Sequence, residues 1–224
     1  NGPDRHIITV EDPVEYRLAG VNQMQVNPKA GLTFASALRS ILRADPDVIL
    51  IGEVRDRETA MIAVESALTG HLVLSSLHTN DAPSAITRLT EMGVETFLVA
   101  SAIDCVVAQR LARRLCDRCR ESYAPEPREL VEAGYPDWQV PEIAELWRPV
   151  GCGACAKTGY RGRLGLYEVM PMTEELERMT VDRASSEDIR RVAIEQGMQE
   201  LRTDGLMKAW AGETSIEEIA RVVK

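Results

Sequence analysis

The stretch Asp45-Pro-Asp-Val-Ile-Leu-Ile-Gly-Glu-Val-Arg-Asp56 joins a continuous apolar run to an abrupt series of charged residues. The run 48–51 fits a strand buried on both faces, as in a parallel sheet covered by helices. Functional groups in such sheets gather at the carboxyl ends of the strands. Glu53 follows this strand directly, where a carboxylate can order a magnesium-bound water or accept a proton from an attacking water.

Two further apolar runs, 6–10 and 71–77, also end in polar residues. Pro13 should hold the acids after the first run on a turn that leaves the strand. One core strand that ends in an acid is common, but three buried strands with ionisable groups at one edge indicate a composite site. The residues that follow these two runs are Glu11, Asp12, Glu15 and His78.

These motifs resemble those of a known family. Val10-Glu-Asp-Pro-Val-Glu-Tyr16 is similar to the acidic box, and Ile49-Leu-Ile-Gly-Glu-Val-Arg-Asp56 to the atypical Walker B motif. Thr69-Gly-His-Leu-Val-Leu-Ser-Ser-Leu-His-Thr-Asn-Asp81 is similar to the histidine box of the secretion ATPases that power type II secretion and type IV pilus assembly. The resemblance covers essentially the whole chain and implies a RecA-like α/β core of the P-loop NTPase class that uses ATP and Mg²⁺.

One family motif, the phosphate loop Gly-x-x-x-x-Gly-Lys-Ser/Thr, does not occur in these residues. That loop supplies backbone amides, a lysine and a magnesium-binding hydroxyl to the phosphates. In the family it lies shortly upstream of the acidic box. We therefore expect this chain to be the C-terminal part of a longer ATPase and to be inactive alone.

The resemblance also implies roles for the site residues. Glu53 is the first candidate for activating the lytic water, and with Asp12 it is a candidate for binding the magnesium nucleotide. Glu11 and Glu15 compete for the base role. The arginines answer phosphate charge in the same or a neighbouring subunit, or pair with Asp56 and Glu58 on the surface. The candidates for acting on the next subunit are Arg55, Arg57, Arg39 and Arg43, or else arginines of the N-terminal domain that the resemblance implies. His71 and His78 are candidates for sensing the γ-phosphate or linking neighbouring sites, with hydrogen-bonded core residues as the alternative.

Four of the five cysteines form two Cys-x-x-Cys knuckles, which predict a zinc site. Paired knuckles let two adjacent thiolates bind a metal from each side, and disulfides are uncommon in the cytosol. The resemblance agrees, because pilus-assembly and type II secretion members commonly carry such an element and retraction members generally lack it. The predicted ligands are Cys116, Cys119, Cys152 and Cys155, whereas Cys105 is expected to be an inert core residue.

The chain divides into three predicted parts. Residues 1–115 alternate strands with helices, as in a parallel α/β core. Residues 116–165 form the proline-rich zinc-binding subdomain, in which Trp138 and Trp147 are expected to be local core. Residues 166–224 form a helical subdomain. The predicted helices of the first part are 33–43, 58–68, 83–92 and 96–115.

Composition and family resemblance together set the expected partners. The net charge of −9 gives no general attraction to nucleic acid or anionic lipid, and no apolar run approaches the ~20 residues that span a bilayer. We expect a soluble cytoplasmic protein with only peripheral membrane association. The resemblance implies a homo-hexamer that works with a platform at the cytoplasmic face of the inner membrane.

Two functions remain open from the sequence. The favoured one is an ATPase motor for type IV pilus assembly or type II secretion, and the sequence Tyr167-Glu-Val-Met-Pro171 favours pilus assembly weakly. The alternative is a non-catalytic zinc-binding scaffold derived from the same family. A scaffold would bind metal normally but would not depend on Glu53.

Overall fold

A computed structural model describes residues 1–223 as two compact units. Unit 1 comprises residues 1–106 and 171–193, and unit 2 comprises residues 107–170 and those from 194 onward. The strands are β1 (Ile7–Glu11), β2 (Asn22–Gln25), β3 (Val48–Ile51), β4 (Leu72–Ser75), β5 (Cys105–Leu115), β6 (Glu121–Tyr123), β7 (Leu146–Arg148) and β8 (Tyr160–Pro171). The α-helices are α1 (Phe34–Ile41), α2 (Arg57–Leu68), α3 (Pro83–Glu91), α4 (Thr96–Ala102), α5 (Pro127–Ala133), α6 (Glu174–Val181), α7 (Ser186–Glu195), α8 (Leu201–Trp210) and α9 (Ile216–Val222).

Unit 1 is built on a parallel sheet with the strand order β2-β1-β3-β4. The helices between its strands begin at polar caps that the sequence supplies. Thr33 and Ser36 form a reciprocal capping box at α1, and the Asp56 carboxylate accepts the Thr59 N–H at 2.9 Å at α2. The predicted parallel α/β core and its first three helices are therefore confirmed.

The prediction of strands buried on both faces is confirmed for β1, where Ile8, Thr9 and Val10 are all buried, but it was wrong for β3 and β4. Ile49 and Ile51 of β3 are buried, but Leu50 on the other face is only half-buried and lines a cavity. Leu72 and Leu74 of β4 are exposed, because β4 lies at the end of the sheet and pairs on one side only. A parallel sheet buries both faces only where helices cover both.

The predicted long helix 96–115 was also wrong. Helix α4 ends at Ala102, and the chain from Cys105 to Leu115 is strand β5. Side chains along most of β5 alternate between exposed and partly buried, which is the two-residue period of a strand. The β-branched pair Val106 and Val107 was the signal that sequence reasoning missed.

The sequence predicted three parts with boundaries after residues 115 and 165. The two compact units instead divide after residues 106, 170 and 193. Strands β5 and β8 form a two-stranded sheet, and β6 and β7 form an antiparallel pair. The unit 2 core contains Ala112, Leu130, Tyr135, Ile143, Leu146, Leu166, Leu201, Leu206, Ala209 and Ile219. Thus helices from the end of the chain share one core with the segment between the cysteine pairs.

Two residues expected in the core are exposed. Cys105 is the exposed first residue of β5, and Trp138 is 67% exposed. Trp147 is partly buried and packs beneath the Arg120 guanidinium, which lies 4.5 Å from its ring centre. Among residues 1–223, no helix combines the length and apolar character needed to cross a membrane.

A fully buried carboxylate fastens α9 to β5 within unit 2. Glu218 accepts hydrogen bonds from the Arg113 backbone N–H at 2.8 Å, from the Arg113 Nε at 2.9 Å and from the Arg221 Nε at 2.8 Å. Burial alone would raise the pKa of Glu218, but the hydrogen bonds from Arg221 and Arg113 outweigh it and lower the pKa to about 2. The carboxylate is therefore ionised at neutral pH.

We predict that Glu218→Gln lowers the free energy of unfolding at pH 7 by about 3 kcal/mol, because the change removes one partner of a buried ion pair. The lowered pKa stabilises the native protein above pH 4.5, and this contribution is lost as pH falls towards about 2. The variant should lack that component. Urea unfolding across this pH range measures both effects.

Glu217→Gln is the matched control, since Glu217 is the exposed neighbour in the first turn of α9. It should change the free energy of unfolding little. Equal stability losses in the two variants would contradict the role assigned to Glu218.

Candidate functional site

Acidic residues from β1 and β3 meet at the carboxyl edge of the unit 1 sheet. The strands are parallel with Val10 opposite Ile51, so Glu11 and Glu53 leave the sheet side by side. They line a cavity of about 470 Å³ that also includes Asp12, Glu15 and Arg55. Residues that follow β1 and β3 therefore line one cavity, and Ser76 after β4 lines it too.

Glu53 is held by two cationic or polar partners. Its Oε2 lies 2.6 Å from the Arg55 Nε and 3.0 Å from the His78 Nε2, and its side chain is only 12% exposed. Burial raises the pKa of Glu53, but the hydrogen bonds from His78 and Arg55 outweigh burial, and the pKa is lowered overall. This carboxylate stays ionised at neutral pH.

Gly52 lets β3 approach β1 at this point. Its N–H donates to the Val10 carbonyl oxygen at 2.7 Å. A Cβ at position 52 would lie 3.2 Å from that oxygen and 3.3 Å from the Glu11 Cα. A larger residue would separate the two strand ends and with them the two carboxylates.

Glu11 is oriented by side chains that the sequence analysis missed. Its Oε1 accepts hydrogen bonds from the Thr9 hydroxyl at 2.5 Å and from the Gln23 Nε2 at 2.8 Å. Thr9 lies two residues before Glu11 on the same face of β1, a spacing that could have identified it. Gln23 comes from the neighbouring strand β2, and no local pattern linked it to the site.

The remaining predicted acids are less constrained. Asp12 and Glu15 are exposed residues that line the same cavity, on the segment that follows β1. Ser76 also lines it and was not predicted, and its hydroxyl donates to the Gly52 carbonyl oxygen at 2.7 Å. The Val54 N–H donates to the Ser76 carbonyl oxygen at 3.0 Å, so the segment after β4 supports the one that carries Glu53.

The predicted arginines and histidines are not all brought together. Arg55 and His78 contact Glu53. Arg57 instead packs against Gly93, where a Cβ would lie 3.1 Å from its Nε. His71 precedes β4 at the opposite end of the sheet, with its Nδ1 2.9 Å from the Ser66 carbonyl oxygen. Of the other two arginines proposed to act on the next subunit, Arg39 pairs with Glu58, and Arg43 is exposed.

The four predicted zinc ligands form a separate cluster in unit 2. The Sγ atoms of Cys116, Cys119, Cys152 and Cys155 all lie within 4.8 Å of one another. Cys116 and Cys152 are 4.0 Å apart at Sγ, and Cys119 and Cys155 are 3.8 Å apart. A disulfide requires about 2.0 Å, whereas tetrahedral Zn–S bonds of about 2.3 Å place the sulfurs about 3.8 Å apart. The donor set therefore fits a structural zinc.

Backbone N–H groups support two of these sulfurs. Cys155 accepts from the N–H of Cys152 at 3.1 Å and of Gly159 at 3.2 Å, and Cys119 accepts from the N–H of Gly151 at 3.3 Å. The bond from Cys152 is the main cause that lowers the pKa of Cys155 to about 6, while burial raises the pKa of Cys119 to about 12. Cys155 therefore ionises more readily than Cys119, and a thiol must lose its proton to bind zinc.

The glycines beside the cysteines permit this close packing. Gly151 has a φ of +110°, and a Cβ there would lie 2.5 Å from the Lys157 carbonyl oxygen. Gly159 has a φ of +78°, and a Cβ there would lie 2.4 Å from the Pro149 Cβ. No other residue type fits either position without movement of the backbone.

Solved structures assign the class of this fold. The crystal structure of the pilus retraction motor PilT with bound ADP is similar to this chain, with a TM-score of 0.68 and 25% sequence identity over 97% of this chain and 52% of that one. The parallel sheet and this likeness define an α/β core of the P-loop NTPase fold class. The sequence model of the Type II/IV secretion system protein family matches residues 1–221, and the chain belongs to that family.

Curated relatives cover almost the entire chain. The type IV pilus assembly ATPase PilB of Thermus thermophilus is 49% identical over 99% of this chain and 25% of the relative. The type II secretion system protein E of Aeromonas hydrophila is 49% identical over 100% of this chain and 44% of the relative. The family predicted from the three motifs is confirmed. The chain spans less than half the length of these relatives.

We predict that each chain binds one zinc through the four cysteines. Cys152→Ser should lower the zinc content sharply, because three remaining thiolates close the tetrahedron poorly. The loss should unfold unit 2 at a lower temperature than unit 1. Elemental analysis of anaerobically purified protein measures the metal, and hydrogen exchange resolved by peptide measures the order of unfolding.

Cys105→Ser is the matched control, since Cys105 is a free cysteine outside the cluster. It should leave the zinc content unchanged. Metal-free wild-type protein, or a mass that shows two intact disulfides, would refute the zinc assignment.

Proposed function

We propose that this chain is the C-terminal part of a cytoplasmic motor that couples ATP hydrolysis to type IV pilus assembly or type II secretion. One observation carries the proposal: the Glu53 carboxylate contacts Arg55 and His78 at a sheet edge that also presents Glu11, Asp12 and Glu15. The names of the curated relatives supply the two processes. Assembly is favoured over retraction because the tetracysteine cluster is present.

Within this motor, Glu53 and Asp12, which line the same cavity, are the residues that would order water around a bound magnesium ion. Magnesium, when bound, neutralises phosphate charge. A carboxylate with a lowered pKa remains an anion and a good hydrogen-bond acceptor, but it holds a transferred proton weakly. Glu53 is therefore better suited to orienting water than to removing its proton.

The base role then falls to an acid from β1 or the segment after it. Glu11 is the better positioned of the two candidates, because hydrogen bonds from Thr9 and Gln23 fix its carboxylate at the sheet edge. Glu15 is exposed and less restrained. Arg55 supplies positive charge beside the reacting phosphate while it also fixes Glu53.

The alternative of a non-catalytic zinc scaffold explains only the cysteine cluster. It gives no reason for the ion pair and the His78 hydrogen bond that hold Glu53 in a concave site.

The proposed motor is a homo-hexamer at the cytoplasmic face of the inner membrane, where it works with a platform and assembly proteins. Its activity requires a phosphate loop, which residues 1–224 do not contain, so the tests below use full-length protein.

We predict that Glu53→Gln in the full-length protein lowers ATP turnover by a factor on the order of 100 or more while it preserves folding. The amide keeps the shape of the side chain but loses the charge that Arg55 and His78 hold in place. Steady-state ATPase rates measure the turnover, and a thermal unfolding curve for each variant shows whether folding is preserved.

Glu65→Gln, on the exposed face of α2, is the control and should keep wild-type turnover. Glu11→Gln and Glu15→Gln separate the two base candidates by which of them abolishes turnover. Unchanged hydrolysis and unchanged transport in the Glu53 variant would favour the scaffold.

A second prediction concerns a site shared between subunits. Arg55 pairs with Glu53 of its own chain and Arg57 packs on Gly93, whereas Arg39 has only an exposed ion pair and Arg43 is exposed. We therefore test Arg39 and Arg43 as the residues that reach another chain. Arg39→Ala or Arg43→Ala should lower turnover by a factor on the order of 10³ if that residue meets phosphoryl charge in the next subunit. The affinity for ATP should change little.

Mixing provides the decisive measurement. Each variant is mixed with Glu53→Gln subunits, and the ATPase rate is followed against the subunit ratio. Interfaces that combine two intact halves should restore activity above that of either variant alone. Arg128→Ala is the control, because Arg128 pairs with Glu132 on α5. Strictly additive rates at every ratio, with a monomeric mass in nucleotide, would reject the shared site.

A further inference from the structure

A cavity beside the first cysteine knuckle is lined by arginines. It has a volume of about 370 Å³ and lies in unit 2. Its walls are formed by the end of β5, the turn that follows it and the start of β8. The lining residues are Arg114, Leu115, Cys116, Asp117, Arg118, Arg161 and Gly162.

The charge of this cavity is opposite to that of the chain. The whole chain has a net charge of −9, yet three guanidinium groups face a single carboxylate, Asp117, around this space. All three arginines are exposed. Among residues 1–223, none of their guanidinium groups forms an ion pair or hydrogen bond with a side chain or with the backbone.

Neighbouring arginines in unit 2 behave differently. Arg113 is bound by the buried Glu218, and Arg120 donates to the Gly212 carbonyl oxygen and covers the Trp147 ring. These two have structural partners that explain their presence. The three cavity arginines have none in the part of the chain that the structure describes, so packing or internal pairing does not account for them.

We propose that this cavity binds a phosphate group. Guanidinium groups present planar forks of N–H donors that match phosphate oxygens, and several around one space suit a dianion with three free oxygens better than a carboxylate. The volume lies within the range of small-ligand sites and admits a phosphate ester. The phosphate belongs either to a soluble phosphate ester or to a lipid headgroup.

The site has a consequence for the adjacent cysteine knuckle. Cys116 both lines the cavity and belongs to the four-cysteine cluster, and Asp117 and Arg118 follow it in the turn. A phosphate held by Arg118 would restrain that turn. Bound phosphate should therefore slow hydrogen exchange at residues 116–119, independently of any ATPase activity.

The test uses inorganic pyrophosphate as the probe and phenylglyoxal as an arginine-modifying reagent on the full-length protein. Peptide mass spectrometry gives the modification rate of each arginine. Pyrophosphate should protect Arg114, Arg118 and Arg161 but not Arg163, an exposed arginine on β8 that does not line the cavity. Unchanged rates at the three cavity arginines, or equal protection of Arg163, would overturn the proposal.

Variants measure the contribution of the arginines to affinity. The double change Arg118→Ala and Arg161→Ala should weaken pyrophosphate protection of Arg114 about tenfold or more, as expected for losing charge-assisted hydrogen bonds. Arg163→Ala should leave it unchanged. Zinc content and thermal unfolding must match wild type in both, so that a folding defect is not mistaken for lost binding.

Vesicles distinguish the two sources of phosphate. Wild-type protein and both variants are floated with phosphatidylcholine vesicles, with and without phosphatidylglycerol. Retention that requires phosphatidylglycerol and the cavity arginines identifies a lipid headgroup. Protection by pyrophosphate without such retention identifies a soluble phosphate ester. Absence of both effects refutes the site, and it leaves the proposed ATPase function untouched because Glu53 and its partners lie in unit 1.

Discussion

The hydrogen bond from the Gly52 N–H to the Val10 carbonyl oxygen, 2.7 Å long, holds the ends of β3 and β1 together at the point where both strands become acidic. Everything in the unit 1 site depends on this spacing. Two carboxylates that leave adjacent parallel strands would repel each other in water. In the structure, each carboxylate has its own hydrogen-bond donors. The Glu53 carboxylate contacts Arg55 and His78, and the Glu11 carboxylate accepts hydrogen bonds from Thr9 and Gln23. Separate partners allow both acids to remain at one edge.

The sequence predicted this edge because parallel strands have a fixed direction. Apolar runs that end in acids must deliver those acids to the same side of the sheet, whatever the order of the strands. The same reasoning failed for His71, which stands before its strand and therefore lies at the opposite end. It also failed for Arg57, where charge alone suggested a phosphate contact but the side chain packs on Gly93. Position relative to the strand end was informative, and residue type alone was not.

In unit 2, features that a local sequence motif encodes were predicted, and features that depend on pairing with distant residues were not. Four thiols need only be close to one another, so the spacing of the two knuckles was sufficient to identify the cluster. The segment 105–115 was mistaken for a helix because its apolar and basic residues satisfy both periods, and pairing with β8, far along the chain, decides between them. Local pattern does not contain that information.

The arginines in β5 and the following turn show that the role of an arginine depends on the residues it contacts. Arg113, Arg114, Arg118 and Arg120 occur within one short basic stretch and are indistinguishable by composition. The structure gives Arg113 a buried carboxylate and Arg120 a carbonyl and an indole ring, and it leaves Arg114 and Arg118 beside Arg161 around an open cavity. Three like charges gathered beside a single carboxylate, Asp117, raise the energy of the free protein, since mainly water and salt screen them. An anionic ligand would remove that repulsion, so the arrangement that is least favourable for the isolated chain is the one best prepared to bind.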